Sequence, residues 1–275
     1  MRADRIRHFF VYFFLIFGAV IMLFPFYWMI SSSFKTAAEY NSFPPTWVPS
    51  NWLNLDNFVR AFEKRNFFVY FLNSVIVTFC SVALTGIVTI LGAFAFSRLR
   101  FPFRNAVFGL LLAFMMVPFE MLVITNYQTV TRMKMVNSLP VLIIPFISSI
   151  FYTYILKNFF DTIPDSLYYS ARIDGASNWK YLWRVMVPIA KPSLVTIMLL
   201  NAISSWNSFM WPTLVITSNR YRTVQLGLFT FMSEAGSDTK LQLAASTVSI
   251  LPMIVLFLFA RRYIVNGVAR GGLKG

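Results

Sequence analysis

Charged residues are scarce in this chain of 275 residues, because Asp, Glu, Lys and Arg together make up only 12% of it. Soluble domains carry about 25% charged residues. Hydrophobic residues make up 57%, aromatic residues make up 18%, and the mean hydropathy is +0.64. The composition therefore excludes an ordinary soluble domain and indicates an integral membrane protein.

Cysteine and histidine each occur once, as Cys80 and His8. A single cysteine excludes an intrachain disulfide and a multi-cysteine metal site. A single histidine excludes a histidine-based metal cluster or a catalytic triad. The chain also lacks the motif G-x-x-x-x-G-K-[ST], through which many ATPases bind nucleotide. We therefore expect no metal, no cofactor and no catalytic residues in this chain.

Acidic residues are few as well. The chain has 10 Asp and Glu residues and 24 Lys and Arg residues, which gives a formal net charge of +14. A basic chain can bind nucleic acid. Here, however, the basic residues form short clusters at the ends of apolar runs, as the positive-inside rule of membrane proteins describes. We therefore expect a lipid bilayer around the chain and no nucleic acid.

Six apolar runs are candidates for membrane-spanning helices, which need about twenty apolar residues. The predicted spans are residues 9–30, 68–96, 106–125, 139–156, 193–217 and 241–260. The first run is too long for a signal peptide and has a poor cleavage site, so we interpret it as a retained span. Gly86 and Gly92 are spaced for close helix contact in the second. The prediction is one all-α transmembrane domain over residues 1–275.

Both termini fall on the same side of the membrane if there are six spans. That side would hold 15 of the 24 basic residues, including the cluster Arg98–Arg104, together with a tail at residues 261–275. The excess of basic residues predicts that both termini are cytoplasmic in a multi-pass protein.

A polar segment, residues 161–192, separates the fourth and fifth runs. Thr162 can cap a helix that Pro164 and Asp165 begin, and Asp174-Gly175 predicts a sharp turn after about Ile173. The first half is therefore predicted to be a short helix that ends at a glycine turn.

A second short helix is predicted to begin at Ser177-Asn178 and to end at Pro188. Its residues Trp179, Leu182, Trp183 and Met186 have spacings of three and four, which would put them on one face. Periodicity alone leaves two interpretations open. The helix pair either rests on the membrane surface or docks into a soluble partner.

Ser170–Ser177, followed by Pro188, resembles the EAA signature of binding-protein-dependent ABC-importer permeases, with Gly175 as the glycine of that signature. The order of six spans is also similar to the MalG-like permeases of oligosaccharide importers. Three further motifs share this similarity: Trp206-Asn207 with Trp211-Pro212, the loop at 221–228 and the tail at 271–275.

This resemblance implies the type I importer permease fold, with residues 161–192 as a cytoplasmic two-helix coupling loop. It implies a non-enzymatic transporter subunit in a bacterial or archaeal cell membrane, forming half of a carbohydrate path. The implied partners are a second permease (a heterodimer), two ATPase subunits that bind ATP and Mg²⁺, and an extracellular sugar-binding protein. The residues implied in ATPase coupling are Asp165, Tyr169, Ser170, Ala171, Asp174, Gly175, Ala176, Trp179, Leu182, Trp183 and Pro188.

The chain departs from the signature at the position of its glutamate, which holds Tyr169. In the family that glutamate helps to bind the ATPase by charge, and a tyrosine brings no negative charge. Our hypothesis is that Asp165 or Asp174 supplies it.

Polar and aromatic residues in two spans are candidates for the substrate path. Glu120 follows Pro118 in the third run and Asn126 comes directly after that run, and an ionisable group in a span usually faces the bundle interior or water. Trp206, Asn207 and Trp211 in the fifth run could offer a sugar aromatic faces and an amide. The alternatives are an interfacial carboxylate for Glu120 and helix packing for the others.

Two other classes of membrane protein are alternatives to an importer subunit. A membrane-embedded enzyme would need acidic or histidine clusters inside spans. A self-sufficient secondary transporter would need an internal repeat and paired intramembrane charges. The sequence shows none of these features, and it does not identify the sugar.

Overall fold

The computed structural model describes residues 2–64, 66–233 and 239–271. Helices are the only regular elements in these described residues. In chain order they are α1 Arg2–Ser33, α2 Ala37–Tyr40, α3 Asp56–Lys64, α4 Phe67–Arg98, α5 Arg104–Phe114, α6 Phe119–Arg132, α7 Pro140–Ile143, α8 Ile150–Asp161, α9 Asp165–Ile173, α10 Asn178–Tyr181, α11 Val187–Ile189, α12 Lys191–Trp206, α13 Met210–Val215, α14 Val224–Ser233 and α15 Thr239–Gly271. Short 3-10 turns occur at Ile144–Phe146 and Asn219–Tyr221, and a π-helical turn at Leu182–Met186.

Three helical stretches are each long and apolar enough to cross a membrane: His8–Ser33, Phe67–Arg98 and Thr239–Arg261. Three further pairs of helices pass the same test together but bend at a short break, which allows up to six spans. The predicted all-α class of a multi-span membrane protein is confirmed. The span boundaries and the single domain stay predictions.

Three of the predicted spans, 106–125, 139–156 and 193–217, are broken rather than continuous. In the second of them, Pro140–Phe146 and Ile150–Asp161 are bent by 46°. Helices α5 and α6 meet at 97°, next to Pro118, whose backbone is extended. Proline has no N–H to continue a helix. In the fifth run α12 ends at Trp206 and α13 begins at Met210, so a single helix over residues 193–217 is wrong. Helix α15 continues through most of the predicted tail to Gly271.

The chain divides into two compact units, Met1–Phe68 with Gly227–Leu251 and Val69–Leu226 with Pro252–Gly275. In the first unit, the segment after α1 folds around Lys35, which is buried. The Lys35 ammonium donates a hydrogen bond of 2.6 Å to the carbonyl of Thr46 and lies 4.0 Å from the ring centroid of Trp28. These contacts offset the cost of burying the charge.

Glu39 stabilises the same segment, and its ionisation makes that stabilisation depend on pH. Its carboxylate accepts hydrogen bonds from the backbone N–H groups of Thr36 and Ser50, both at 2.7 Å. Hydrogen bonds from Ser50 and Thr36 lower the pKa of Glu39 from 4.5 to about 2. Since the folded pKa is lower than the unfolded one, the carboxylate stabilises the segment fully above pH 4.5, and this is lost as pH falls toward 2.

We expect Glu39→Gln to reduce the hydrogen-exchange protection of a peptide covering residues 36–50 at pH 6, because the amide is a weaker acceptor than the carboxylate. The difference from the wild type should shrink as the pH is lowered below 4.5. Equal protection of the two proteins at pH 6 would contradict this account.

The second unit has two cores of buried apolar residues. One includes Leu156, Phe160, Tyr181, Leu182 and Met186. The other gathers Val77, Val130, Val141, Trp211, Val215 and their neighbours.

Helix α4 approaches its neighbours closely at two glycines. A Cβ atom at Gly86 would lie 3.2 Å from Met198 Cε, and one at Gly92 would lie 3.2 Å from Thr153 Cγ2. The predicted close helix contact at these glycines is therefore confirmed.

Candidate functional site

The first half of the segment 161–192 is helix α9, which begins at Asp165, later than a cap at Thr162 would place it, and ends at Ile173 as predicted. The predicted cap is wrong, however. The Thr162 hydroxyl donates to the carbonyl of Phe159 at 2.7 Å and so satisfies the end of α8. The residue before α9 is Pro164, whose side chain has no group that could cap the helix. Asp165 lies in the first turn, where its charge complements the helix dipole.

The turn after α9 depends on Gly175, which has a φ of +73°. The N–H of Ala176 donates to the carbonyl of Ala171 at 2.9 Å, and the N–H of Gly175 donates to that of Arg172 at 3.1 Å. This pair of bonds is the Schellman motif, which closes a helix around a left-handed residue. Arg172 Nη1 also donates to the Ala176 carbonyl at 3.1 Å. The predicted glycine turn is confirmed.

The second half begins as predicted, because the Ser177 hydroxyl accepts a hydrogen bond from the N–H of Lys180 at the start of α10. Its end was predicted wrongly. The helical path continues through the π-helical turn and through Pro188 to Ile189. Proline is tolerated in the first turn of a helix, and Pro188 takes that position in α11.

The predicted shared face of Trp179, Leu182, Trp183 and Met186 is also wrong. Leu182 and Met186 are buried in the first core, whereas Trp179 is 62% exposed. Trp183 is half-buried, and its ring lies 5.6 Å from that of Trp179. A π-helical turn has a wider period than an α-helix, so spacings of three and four no longer define one face. Leu182 therefore anchors the segment and does not point outward.

A buried arginine joins this segment to the end of α4. The Arg98 side chain is only 7% exposed. Its Nη2 donates to the carbonyl of Phe160 at 2.8 Å and to that of Ile163 at 2.6 Å. Its Nη1 lies 3.1 Å from Asp165 Oδ1. Arg98 thus holds the end of α8 and the start of α9 together.

Arg98 was expected to act only as a topology signal at a span end. No local pattern distinguishes it from Arg100, because its partners lie more than 60 residues away in the sequence. The hydroxyl of Tyr168 adds a second tie, since it donates to Asn178 Oδ1 at 3.0 Å and so links α9 to α10.

The outward side of the segment presents apolar and aromatic groups around the glycine turn. Ile173 is 86% exposed and Tyr169 is 54% exposed, and they lie four residues apart on α9. Trp179 follows across the turn. Of the other predicted coupling residues, Asp165, Ser170, Asp174, Gly175 and Pro188 are exposed, Ala171 is half-buried and Ala176 is buried.

Ile173 was missed as a site residue. Its spacing from Tyr169 and its place beside the turn could have identified it, since residues four apart share a helix face.

A cleft of about 820 Å³ lies beside Tyr169. It is lined by the turn at 97–104, including Arg100 and Arg104, and by Asp165 of α9. Because Arg98 engages Asp165, Asp174 is the freer of the two carboxylates proposed to replace the missing glutamate.

The five residues predicted for the substrate path lie in different environments. Glu120 is exposed in the first turn of α6, and Asn126 is half-buried. Trp206 is buried against Phe71, with ring centroids 5.7 Å apart. Asn207 Nδ2 donates to the carbonyl of Ile203, so its amide is used locally.

Trp211 is buried in the second core, and its Nε1 donates to the carbonyl of Val141 at 3.0 Å. Its indole N–H is therefore occupied by the backbone of the same chain. This contact agrees with the packing alternative for Trp211.

Two predicted features lie outside the described residues. They are residues 234–238 of the loop between the fifth and sixth predicted spans and the end of the tail at 272–275.

Comparisons with known proteins support the family resemblance that the motifs indicate. The chain is 32% identical over 262 residues to the arabinooligosaccharides transport system permease protein AraQ of Halalkalibacterium halodurans, covering 94% of each chain. Its fold is similar to a chain of a bacterial ABC transporter involved in the import of the acidic polysaccharide alginate. That match has a TM-score of 0.84 and 23% identity, and it covers 96% of this chain and 98% of the other.

A second structure, of a bacterial alginate ABC transporter in complex with an alginate pentasaccharide-bound periplasmic protein, matches with a TM-score of 0.65 and 14% identity. This match covers 94% of each chain. Residues 88–270, which include α9, the glycine turn and the broken fifth run, match the family described as binding-protein-dependent transport system inner membrane component. The match to the family covers about two thirds of the chain, and AraQ is 32% identical over 94% of it. The chain therefore belongs to the family of binding-protein-dependent transport system inner membrane components.

Proposed function

We propose that the chain is the permease subunit of an ATP-driven carbohydrate importer and that residues 161–192 transmit movement between its spans and a separate ATPase. The observation that carries this proposal is that one side of the segment is fixed to the rest of the chain while the other side is exposed. Leu182 and Met186 are buried in the core, Arg98 binds the carbonyls beside α9, and Ile173 and Trp179 remain exposed.

That arrangement suits a lever, which needs a fixed base and a docking surface. Interfaces concentrate their energy in a few apolar or aromatic side chains that become buried on binding. Ile173 and Trp179 are available for this role. ATP and Mg²⁺ would be bound by the ATPase subunit and not by this chain.

Carbohydrate is the substrate class that the relatives support. AraQ is described as part of a system that transports arabinooligosaccharides, and the two similar structures are of alginate importers. The complex with a periplasmic protein in one of them supports an extracellular sugar-binding protein as a partner of this chain as well.

A second permease subunit is proposed from the first span. The helix His8–Ser33 is strongly apolar, yet within the described residues none of its most apolar window is buried. Besides lipid, a partner subunit would cover this surface, and together the two chains would form the path. The excess of basic residues near the termini supports a cytoplasmic location for both ends.

The proposal is tested by purifying the tagged full-length chain from its native membrane in mild detergent and identifying the proteins that accompany it. We expect a second permease of the same family and an ATPase subunit, with ATP hydrolysis by the purified complex. A chain that takes up sugar in liposomes alone, with no ATPase, would contradict it.

A further inference from the structure

The second unit contains a cavity of about 470 Å³ that none of the proposed roles uses. Its volume is within the range of about 300–1,000 Å³ that small-molecule sites have. Polar groups reach it from α4, from the last turns of α12, from the segment between α12 and α13 and from the residue before α14. They are Ser81, Asn201, Ser204, Ser205, Ser208 and Thr223.

We propose that this cavity binds one unit of an uncharged sugar during transport, an inference that rests on the proposed carbohydrate importer and adds its site and charge class. The site differs from the residues predicted from the sequence, of which the cavity includes only Trp211.

Two polar atoms of the cavity are buried without a partner in the part of the chain that the structure describes. They are Oδ1 of Asn201 and Oγ1 of Thr223. The Thr223 side chain belongs to a residue that is only 6% exposed. A buried polar atom that forms no hydrogen bond costs about 1–3 kcal/mol. Hydroxyl groups of a sugar can donate to Asn201 Oδ1 and can either donate to or accept from Thr223.

Thr223 is held in place by hydrogen bonds on both sides. Asn73 Nδ2 donates to the carbonyls of Arg220 and Arg222, both at 2.9 Å. The N–H of Val224 donates to the Ser74 hydroxyl at 2.8 Å. The backbone at Thr223 is therefore fixed before any ligand arrives, which reduces the entropic cost of binding.

Aromatic rings also line the cavity. Phe119, Phe146 and Trp211 are among its lining residues and pack against each other, with ring centroids 5.4 to 6.0 Å apart. Sugar rings have apolar C–H faces as well as hydroxyl edges. A lining that combines aromatic rings with hydroxyl and amide groups matches both parts of that surface.

The charge of the cavity decides which sugars it accepts. Among the described residues that line it, none is Asp, Glu, Lys, Arg or His. A carboxylate or phosphate would lose its hydration there and would meet no cation, which is strongly unfavourable. The cavity should therefore accept neutral sugars and reject uronates and sugar phosphates.

The test is ligand binding to the full-length chain, purified with whatever subunits accompany it and without a binding protein. Saturation-transfer NMR is measured with four neutral probes, arabinotriose, maltotriose, raffinose and diacetylchitobiose, and with two anionic probes, a mannuronate trisaccharide and sn-glycerol 3-phosphate. We expect saturable signals from at least one neutral probe and none from the anionic probes.

The double variant Asn201→Leu with Thr223→Val should weaken the neutral-probe affinity at least about tenfold, as expected for a lost hydrogen bond of about 1.5 kcal/mol. Thr223→Ser keeps the hydroxyl and should bind like the wild type. Asn158→Leu makes the same kind of change at an exposed position outside the cavity and should also bind normally. Thermal unfolding of each variant checks that it is folded.

Absence of any neutral-probe signal from the folded wild type would overturn the proposal. So would an unchanged affinity in the double variant or equal binding of an anionic probe. The ATPase that accompanies each preparation is quantified in parallel. Its absence would contradict the importer function, whereas an ATPase-bound complex without a sugar signal would contradict the sugar site alone.

Discussion

Replacing Arg98 by leucine is expected to reduce transport at least about tenfold. The substitution leaves the buried carbonyl of Ile163 without its donor, whereas the carbonyl of Phe160 loses Arg98 but keeps the N–H of Ile163 at 3.1 Å. A buried carbonyl without a donor costs about 1–3 kcal/mol. The ion pair with Asp165 contributes less, because the Asp165 side chain is 70% exposed and water screens the pair. Movement of the spans should then no longer be transmitted to the start of α9.

Sugar uptake and the amount of ATPase bound to the purified chain measure this effect, with membrane-inserted protein as the reference. Arg98→Lys should rescue transport only in part, because one ammonium does not reproduce the fork of a guanidinium.

Arg100 provides the matched control. It lies two residues further along, it is exposed, and among the described residues it forms no ion pair. Arg100→Leu should keep transport within about twofold, since surface substitutions away from specific contacts change stability by only about 0.5 kcal/mol. Equal losses in Arg98→Leu and Arg100→Leu would mean that positive charge matters and that the buried hydrogen bonds do not.

Replacing Gly175 by proline is expected to have the second large effect, again a loss of transport of at least about tenfold. Proline fixes φ near −65°, whereas Gly175 has a φ of +73°. Proline also removes the N–H that donates to the carbonyl of Arg172. Both changes break the Schellman motif that sets the angle between α9 and α10. Sugar uptake per inserted protein is the measurement.

Two milder substitutions separate backbone conformation from side-chain contact. Among the described residues, no heavy atom lies within 4 Å of a Cβ placed at Gly175, so alanine adds only the strain of a left-handed backbone, about 1–2 kcal/mol. Asparagine tolerates this conformation better. We expect uptake to decrease in the order glycine, asparagine, alanine and proline. A proline variant as active as the alanine variant would contradict the role of the turn.

Local chemistry made much of the segment 161–192 predictable. A proline followed by an aspartate begins α9, and a glycine ends it, because these preferences act over a few residues. The end of α9 at Ile173 and the turn at Gly175 were therefore predicted correctly.

Long-range contacts were not predictable in the same way. The role of Arg98 depends on carbonyls at the end of α8 and in the connection after it. The burial of Leu182 and Met186 depends on a π-helical turn that shifts the helical period. Thr162 satisfied the helix before it rather than the one after it, since either end offers it partners.

The surroundings of the substrate-path candidates also depend on long-range contacts. Trp206 and Trp211 are aromatic residues in an apolar run and were therefore selected as candidates, yet both are buried in packing contacts. Asn201 and Thr223 are common residue types 22 positions apart, and only the fold brings them to one cavity.

The docking surface of the segment 161–192 is the central claim, and the affinity of the ATPase subunit for the chain tests it most directly. The measurement compares the wild type with Ile173→Asp and with Leu53→Asp, which places the same charge on a similarly exposed leucine outside the segment. Each protein is purified in nanodiscs and titrated with the ATPase that accompanies the wild type. We predict at least about a tenfold loss of affinity for Ile173→Asp, as for an interface anchor, and no change for Leu53→Asp. Equal affinities of the wild type and Ile173→Asp would contradict the account.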